Sequence, residues 1–229
     1  MEDAGKIWYL KQIDVFDQMS SEEMDALADM THVQDVPKNQ PIYFPGDTAD
    51  TVFMLKKGRV RLSRTSPEGK SITLALLEGG EIFGEMALMG EDERTTRAET
   101  LENSYICAAP REKFLNVLQN NPELNLQITK MMGERRQTIE TRIQNLIFKD
   151  SRERLTFVLK EMFEKHSDTS INDEPTISFT HEEIGQLSGL TRPTTTNILN
   201  ALEDEGFIEL GRGGIILKQP ERLSASVQA

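Results

Sequence analysis

The 229-residue sequence has little of several residue types, and each shortage closes off a class of function. A single cysteine, Cys107, rules out an intrachain disulfide and cannot by itself build a zinc ribbon or an iron–sulfur cluster. The three histidines, His32, His166 and His181, are scattered along the chain. Only His32 lies near the β-prone part of the sequence, so no metal triad of a cupin-type enzyme can be assembled, and neither an enzyme nor a metal protein is expected. No apolar run approaches the roughly 20 residues of a membrane-spanning helix, and Met1-Glu2-Asp3 is acidic where a signal peptide starts basic. The expectation is a cytoplasmic protein without a membrane partner. Basic residues are also short: 26 Lys and Arg stand against 38 Asp and Glu, a net charge of −12. That balance argues against indiscriminate binding of polyanions and leaves room only for a local basic patch. The hydrophobic fraction of 37% is ordinary and sufficient for one large domain or two modest ones.

The chain changes character along its length. Ser20-Ser21-Glu22-Glu23 reads as a capping box, followed by Met24, Leu27 and Met30 at helical spacing, which predicts a short helix. From about Val33 to Ala109 come β-prone stretches (Val52–Leu55, Val60–Ser63, Ile72–Leu77, Tyr105–Ala108). Turn signals separate them at Pro45-Gly46, Lys57-Gly58, Pro67-Glu68-Gly69 and Gly79-Gly80. This spacing predicts a small β-barrel or sandwich of seven or eight strands. Asn121-Pro122 opens a long helical stretch in which Leu124, Ile128, Met132, Arg135, Ile139, Ile143 and Leu146 recur at heptad-like intervals. The stripe is either a helix packed on its own barrel or a parallel dimer seam, and the polar flanks favour the seam. Asp150-Ser151 reads as a cap and hinge before a new amphipathic set, Leu155, Val158, Leu159, Met162 and Phe163. Residues 165–175 read as a polar loop and Thr176–Phe179 as a short strand. The expected organisation is a sensing domain at 1–120, a dimerisation helix at 121–149 and a second domain at 150–229.

Near the C-terminus, Thr180-His181-Glu182-Glu183 is a second capping box, with Ile184 and Leu187 behind it and a Ser188-Gly189-Leu190 turn. Another helix then starts at Thr191-Arg192-Pro193. On it Thr195, Ile198, Leu199 and Leu202 share an inner face. Arg192, Pro193, Thr196, Asn197 and Asn200 share an outer face without a carboxylate until Glu203. Phe207–Leu210, a Gly-rich turn through Arg212, and Ile215–Leu217 follow as a hairpin. This order predicts a winged helix-turn-helix that binds duplex DNA through Arg192, Pro193, Thr194, Thr196, Asn197, Thr180 and Arg212, with Arg192, Thr194, Arg212 and the two helix N-termini supplying the phosphate contacts. Against it, residues 151–219 carry seven Lys or Arg and twelve Asp or Glu, which keeps alive a module that docks a protein instead.

Phe83-Gly84-Glu85-Met86-Ala87-Leu88, followed by Arg94-Thr95-Thr96, suits a nucleotide pocket. Glycine permits close backbone approach, a carboxylate can accept from a ribose hydroxyl, and an arginine beside a hydroxyl can neutralise a cyclic phosphate. The bland alternative is a surface ion pair between Glu85 and Arg94. Gly69-Lys70-Ser71 is a hairpin turn rather than a phosphate loop, since Arg64 stands where that loop needs glycine. Cys107, in an apolar strand, reads as an inert core thiol.

Barrel, Gly-Glu and Arg-Thr loop, long helix and winged helix, in this order over nearly the whole chain, resemble the cyclic-AMP receptor protein (Crp/Fnr) superfamily of bacterial transcription regulators. The resemblance implies an α+β protein: an N-terminal cyclic-nucleotide-binding-like β-barrel (jelly roll), a long dimerisation helix and a C-terminal winged helix-turn-helix. It implies a homodimer that binds a near-palindromic operator, with RNA polymerase as a protein partner. The effector pocket would comprise Gly84, Glu85, Met86, Arg94, Thr95 and Glu140, and the seam Ile128, Met132, Ile139, Ile143 and Leu146. Ile139-Glu140 stands where the family's cyclic-AMP binders carry Thr-Ser, Thr96 replaces an alanine, and Pro193 and Asn197 replace two base-reading residues. The effector is therefore a cyclic nucleotide, a different ligand or none.

Overall fold

The structure is a computed structural model that describes residues 13–17, 19–69, 71–166, 169–171, 174–211 and 214–219. The chain divides into two compact units, residues 1–136 and 137–229.

In the first unit, helix α1 (Ser21–Met30) begins at the predicted capping box, with the Ser20 side chain on the Glu23 amide and the Glu23 carboxylate on the Ser20 amide. Eight strands follow: β1 (His32–Val36), β2 (Pro41–Tyr43), β3 (Thr51–Lys57), β4 (Arg59–Thr65), β5 (Ser71–Glu78), β6 (Ile82–Phe83), β7 (Arg97–Thr100) and β8 (Ser104–Pro110). They do not close into a barrel. They form two antiparallel four-stranded sheets of order β1-β8-β3-β6 and β2-β7-β4-β5, a jelly-roll arrangement. The turn glycines Gly46, Gly58, Gly69 and Gly80 all have positive φ, which is why the turn signals were legible.

One core lies between the sheets and holds Tyr43, Phe53, Leu55, Phe83, Ala98 and Ile106. The other lies against the opposite face of the first sheet, where Val52, Met54, Ile82 and Cys107 meet Met24, Leu27, Phe114 and Leu118 of the helices. Strand β3 is buried on both faces, so it reads as a continuous apolar run rather than an alternation. Helix α2 (Arg111–Asn120) and the long helix α3 (Pro122–Phe148) follow, α3 being capped by Asn121, whose side-chain Oδ1 accepts from the Leu124 amide at 2.9 Å.

The second unit starts within α3. Helix α4 (Ser151–His166) has its own capping box, since Asp150 Oδ1 accepts from Glu153 N at 2.9 Å and Glu153 Oε2 accepts from Asp150 N at 2.7 Å. Its predicted inner face, Leu155, Val158, Leu159, Met162 and Phe163, is buried. The segment expected to be a loop instead contains strand β9 (Thr169–Ile171), and Glu174-Pro175 opens strand β10 (Glu174–Ile177). Pro175 is the second residue of the strand, near its start, opposite Ser170 of β9. Helices α5 (His181–Ser188) and α6 (Arg192–Asp204) and strands β11 (Ile208–Gly211) and β12 (Gly214–Leu217) complete the unit, with sheet order β11-β12-β10-β9.

Candidate functional sites

The Gly-Glu and Arg-Thr loop is held by backbone geometry that its residues require. Gly84 ends β6 in the left-handed region, at φ 71°, and a Cβ there would stand 3.0 Å from Arg94 Nη1 and 3.1 Å from the Phe53 ring. Glycine is needed for the conformation and for the approach of Arg94. Arg94 is only 5% exposed. Its Nη1 donates to the Gly84 carbonyl at 2.9 Å, its Nη2 donates to the Thr51 carbonyl, and its guanidinium lies 4.7 Å from the Tyr43 ring centre. Its Nε is buried without a hydrogen-bond partner among the described residues. Tyr43 itself is buried beside Phe53 and Phe83, and burial holds its phenol above the ordinary value of 10, against a hydrogen bond to Thr96 that lowers it.

The surface ion pair between Glu85 and Arg94 does not form. Glu85 is 8% exposed, and its carboxylate faces Arg135 of α3, Nη1 to Oε2 at 3.1 Å. Arg135 also donates to the Ile82 carbonyl and lies 3.6 Å from Glu81. The sequence reading placed Arg135 in an apolar seam and missed this role; a cation in an otherwise apolar stripe was the available signal. Thr95 donates to Glu91 at 3.2 Å, and Met86 is 41% exposed. Glu140 is exposed on the part of α3 that belongs to the second unit, and the loop described here is built from first-unit residues alone.

The apolar stripe of α3 is not one surface. Ile128 is 1% exposed and Leu124 is likewise buried, both in the core formed with α1 and α2, and Met132 packs against that core. Ile128 is thus covered by its own domain, and Met132 is partly buried against the same core: the first turns of α3 pack on their own domain. Further along, Ile139, Ile143 and Leu146 are 38%, 50% and 39% exposed, and Ile147 and Phe148 more so. Leu146 also lies over the α5–α6 turn, since a Cβ on Gly189 would be 2.8 Å from Leu146 Cδ2.

In the second unit, Thr180 caps α5 by a capping box and Gly189, at φ 66°, ends it. Thr191 caps α6, with Pro193 in its first turn. The two helices touch at Gly185, where a Cβ would meet Thr195 Oγ1 at 2.8 Å and the Leu190 carbonyl oxygen at 3.0 Å. On α6, Thr195, Leu199 and Leu202 are buried. Arg192, Pro193, Asn197 and Asn200 are exposed and Thr194 and Thr196 half-buried, which brings the predicted DNA-reading residues of this helix onto one face. Thr194 Oγ1 is 2.9 Å from Thr191 Oγ1, and Thr196 Oγ1 is 2.9 Å from His181 Nδ1, a partner the sequence reading did not identify. Glu203 Oε1 accepts from the Leu210 amide at 2.7 Å and so ties α6 to the wing. Arg212, expected to contact DNA from the wing, lies outside the described residues.

A jelly roll carrying this loop, followed in sequence by a long helix and a winged helix-turn-helix, defines a class of DNA-binding transcription regulators. Residues 33–121 match the cyclic nucleotide-binding domain and residues 153–226 the Crp-like helix-turn-helix domain. The cyclic AMP receptor protein of Thermus thermophilus is 29% identical over 210 residues, spanning 92% of this chain and 94% of the relative. The global nitrogen regulator of Nostoc is 31% identical over 196 residues, spanning 84% and 87%. The c-di-GMP-responsive global regulator CLP of Xanthomonas campestris shares the fold, with a TM-score of 0.78 at 18% identity over 87% of this chain and all of that one. The chain belongs to the Crp/Fnr family, and it is a transcription regulator, not an enzyme. No helix among the described residues is long and apolar enough to cross a membrane.

Proposed function

We propose that the protein is a cytoplasmic homodimer whose 1–120 region senses a small anionic effector and whose 150–229 region places α6 in the major groove of a near-palindromic operator. RNA polymerase would be the protein partner. The DNA reading is carried by the exposed face of α6, where Arg192, whose fork suits guanine, and Asn197, which suits adenine, stand clear of the packed face. The dimer reading is carried by exposed Ile139, Ile143 and Leu146 on α3, the part of the stripe its own domain leaves uncovered. Ile139→Asp should give monomers in sedimentation; full dimerisation of that variant at micromolar concentration would move the interface elsewhere.

The effector reading is carried by the unpartnered, buried Nε–H of Arg94, a charge-assisted donor suited to the oxygens of a cyclic phosphate. When bound, such a nucleotide would supply negative charge at Arg94 and a ribose hydroxyl for the Glu85 carboxylate. A second reading, an effector-independent regulator, is favoured by a specific observation: Glu85 is already paired with Arg135 and Thr95 with Glu91. Names of relatives invoke cyclic AMP, nitrogen and c-di-GMP on one architecture, so the effector has to be measured. DNA binding of the purified protein with and without a panel of cyclic mono- and dinucleotides decides between the readings. Binding that no member of the panel alters, with no calorimetric signal at millimolar nucleotide, supports effector independence.

A further inference from the structure

His181 is the first residue of α5, its ring half-buried, with Nδ1 2.9 Å from Thr196 Oγ1 on α6. Thr196 lies one turn after Arg192 and beside Asn197, at the margin of the exposed face of that helix. A threonine hydroxyl has one hydrogen to give, so what it does with His181 limits what it can offer to anything else. If Nδ1 is a bare lone pair, the hydroxyl donates to it and presents only acceptor capacity outward. If Nδ1 carries a proton, it donates to the hydroxyl oxygen and leaves the hydroxyl hydrogen available.

We infer that His181 is a positioning residue for base recognition: neutral with its proton on Nε2, it makes Thr196 an acceptor, and as imidazolium it makes Thr196 a donor. The acceptor form suits the amino groups of cytosine and adenine, and the donor form suits the O6 and N7 of guanine or the O4 of thymine. The inference rests on the reading that α6 enters the major groove.

Several charged groups on α5 and the helices packed around it are engaged with partners of their own. On its own helix, Glu183 is held by the Thr180 amide at 2.6 Å and hydroxyl at 2.9 Å, and Glu182 by Gln186 at 3.1 Å. On α6 the nearest cation in sequence is Arg192, a turn before Thr196. On α4, which packs against α5, Arg152 is bonded to Glu205 and Lys160 is paired with Glu164, while Glu161 is shared by Arg142 and Lys165. Glu153 caps α4, and Arg154 follows it. The hydrogen-bond partner of the imidazole is Thr196 and not a carboxylate.

Selection of binding sites from a random DNA pool by the full-length protein at about pH 5.5 and about pH 8 tests this. At one base pair per half-site the preference should move from cytosine or adenine at the higher pH to guanine or thymine at the lower, by about threefold to tenfold. His181→Asn should show one preference at both pH values. Thr196→Val should lose preference at that base pair alone, with the base read by Arg192 retained. A wild-type logo identical at both pH values, or the same movement in His181→Asn, overturns the inference. Failure of the wild type to select any sequence would overturn the groove reading of α6, and the inference with it.

Discussion

The loop of the jelly roll and the outer face of the helix-turn-helix use the same residue types, arginine and threonine, and treat them in opposite ways. Arg94 is 5% exposed, lies on Tyr43 and spends two of its donor groups on backbone carbonyls, whereas Arg192 stands exposed at the start of α6. In the loop, the arginine proposed to capture an effector through Nε also holds Gly84 and Thr51 of β3 together through Nη1 and Nη2. In the helix-turn-helix, Gly185, Thr195 and Leu199 lie on the packed side while Arg192 and Asn197 face outward, and Thr196 shares both roles through its hydrogen bond to His181. On the proposed reading, recognition and folding would share one side chain in the first unit, and in the second would overlap at Thr196 and not at Arg192.

The largest effect should come from Arg94→Ala. Its removal strands the Gly84 and Thr51 carbonyls in a buried site and should cost about 2–4 kcal/mol of stability without any effector. From the motif alone, Tm would be expected to stay unchanged; urea unfolding of the variant measures the difference, and an unchanged midpoint would break the contrast drawn above. Next, Gly185→Ala should cost about 1–3 kcal/mol, because its Cβ collides with Thr195 Oγ1 and the Leu190 carbonyl. Gly133→Ala, where nothing lies within 4 Å, should instead stabilise α3 by about 0.5–1 kcal/mol. The two alanines can be compared by thermal melts.

Arg192→Ala should leave stability within about 0.5 kcal/mol and cost about 1–3 kcal/mol of operator affinity, relaxing one base pair per half-site. Melts and gel shifts on one preparation would sharpen the separation, and a destabilised Arg192→Ala would erase it. The smallest effects are in pH dependence. Tyr43 has a raised pKa, so its contribution is complete below pH 10 and is lost as pH rises through the folded value; Tyr43→Phe should remove that alkaline loss. The Ser20 amide lowers the pKa of Glu23, so the contribution of that capping box is present above the ordinary 4.5 and is lost as pH falls through the lower folded value. Glu23→Gln should flatten this acid limb in denaturant midpoints measured against pH.

Local rules were the legible part. The capping boxes at Ser20 and Thr180 formed as the residues predicted, because their hydrogen bonds close within three residues. The strands from Val52 to Ala108 were legible from turn chemistry, yet their assembly into two facing sheets was not, since pairing partners such as Thr51 and Pro110 are far apart in sequence. Strand β9 was missed because polar Thr169–Ile171 becomes a strand by pairing with β10, not by its own pattern.

By itself the sequence determined the order of elements, the identity of the outward face of α6 and the presence of both loop and helix-turn-helix motifs. These follow from helical period, caps and turns, which act over a few residues. Only the tertiary structure decided which side chains the motifs leave available. Glu85 went to Arg135, 50 positions along the chain, Arg94 to the Thr51 and Gly84 carbonyls, and Ile128 to the core against α1 and α2. A carboxylate, a guanidinium or an isoleucine carries no local mark of its partner, because desolvation and pairing are settled by whatever the fold brings within a few ångströms.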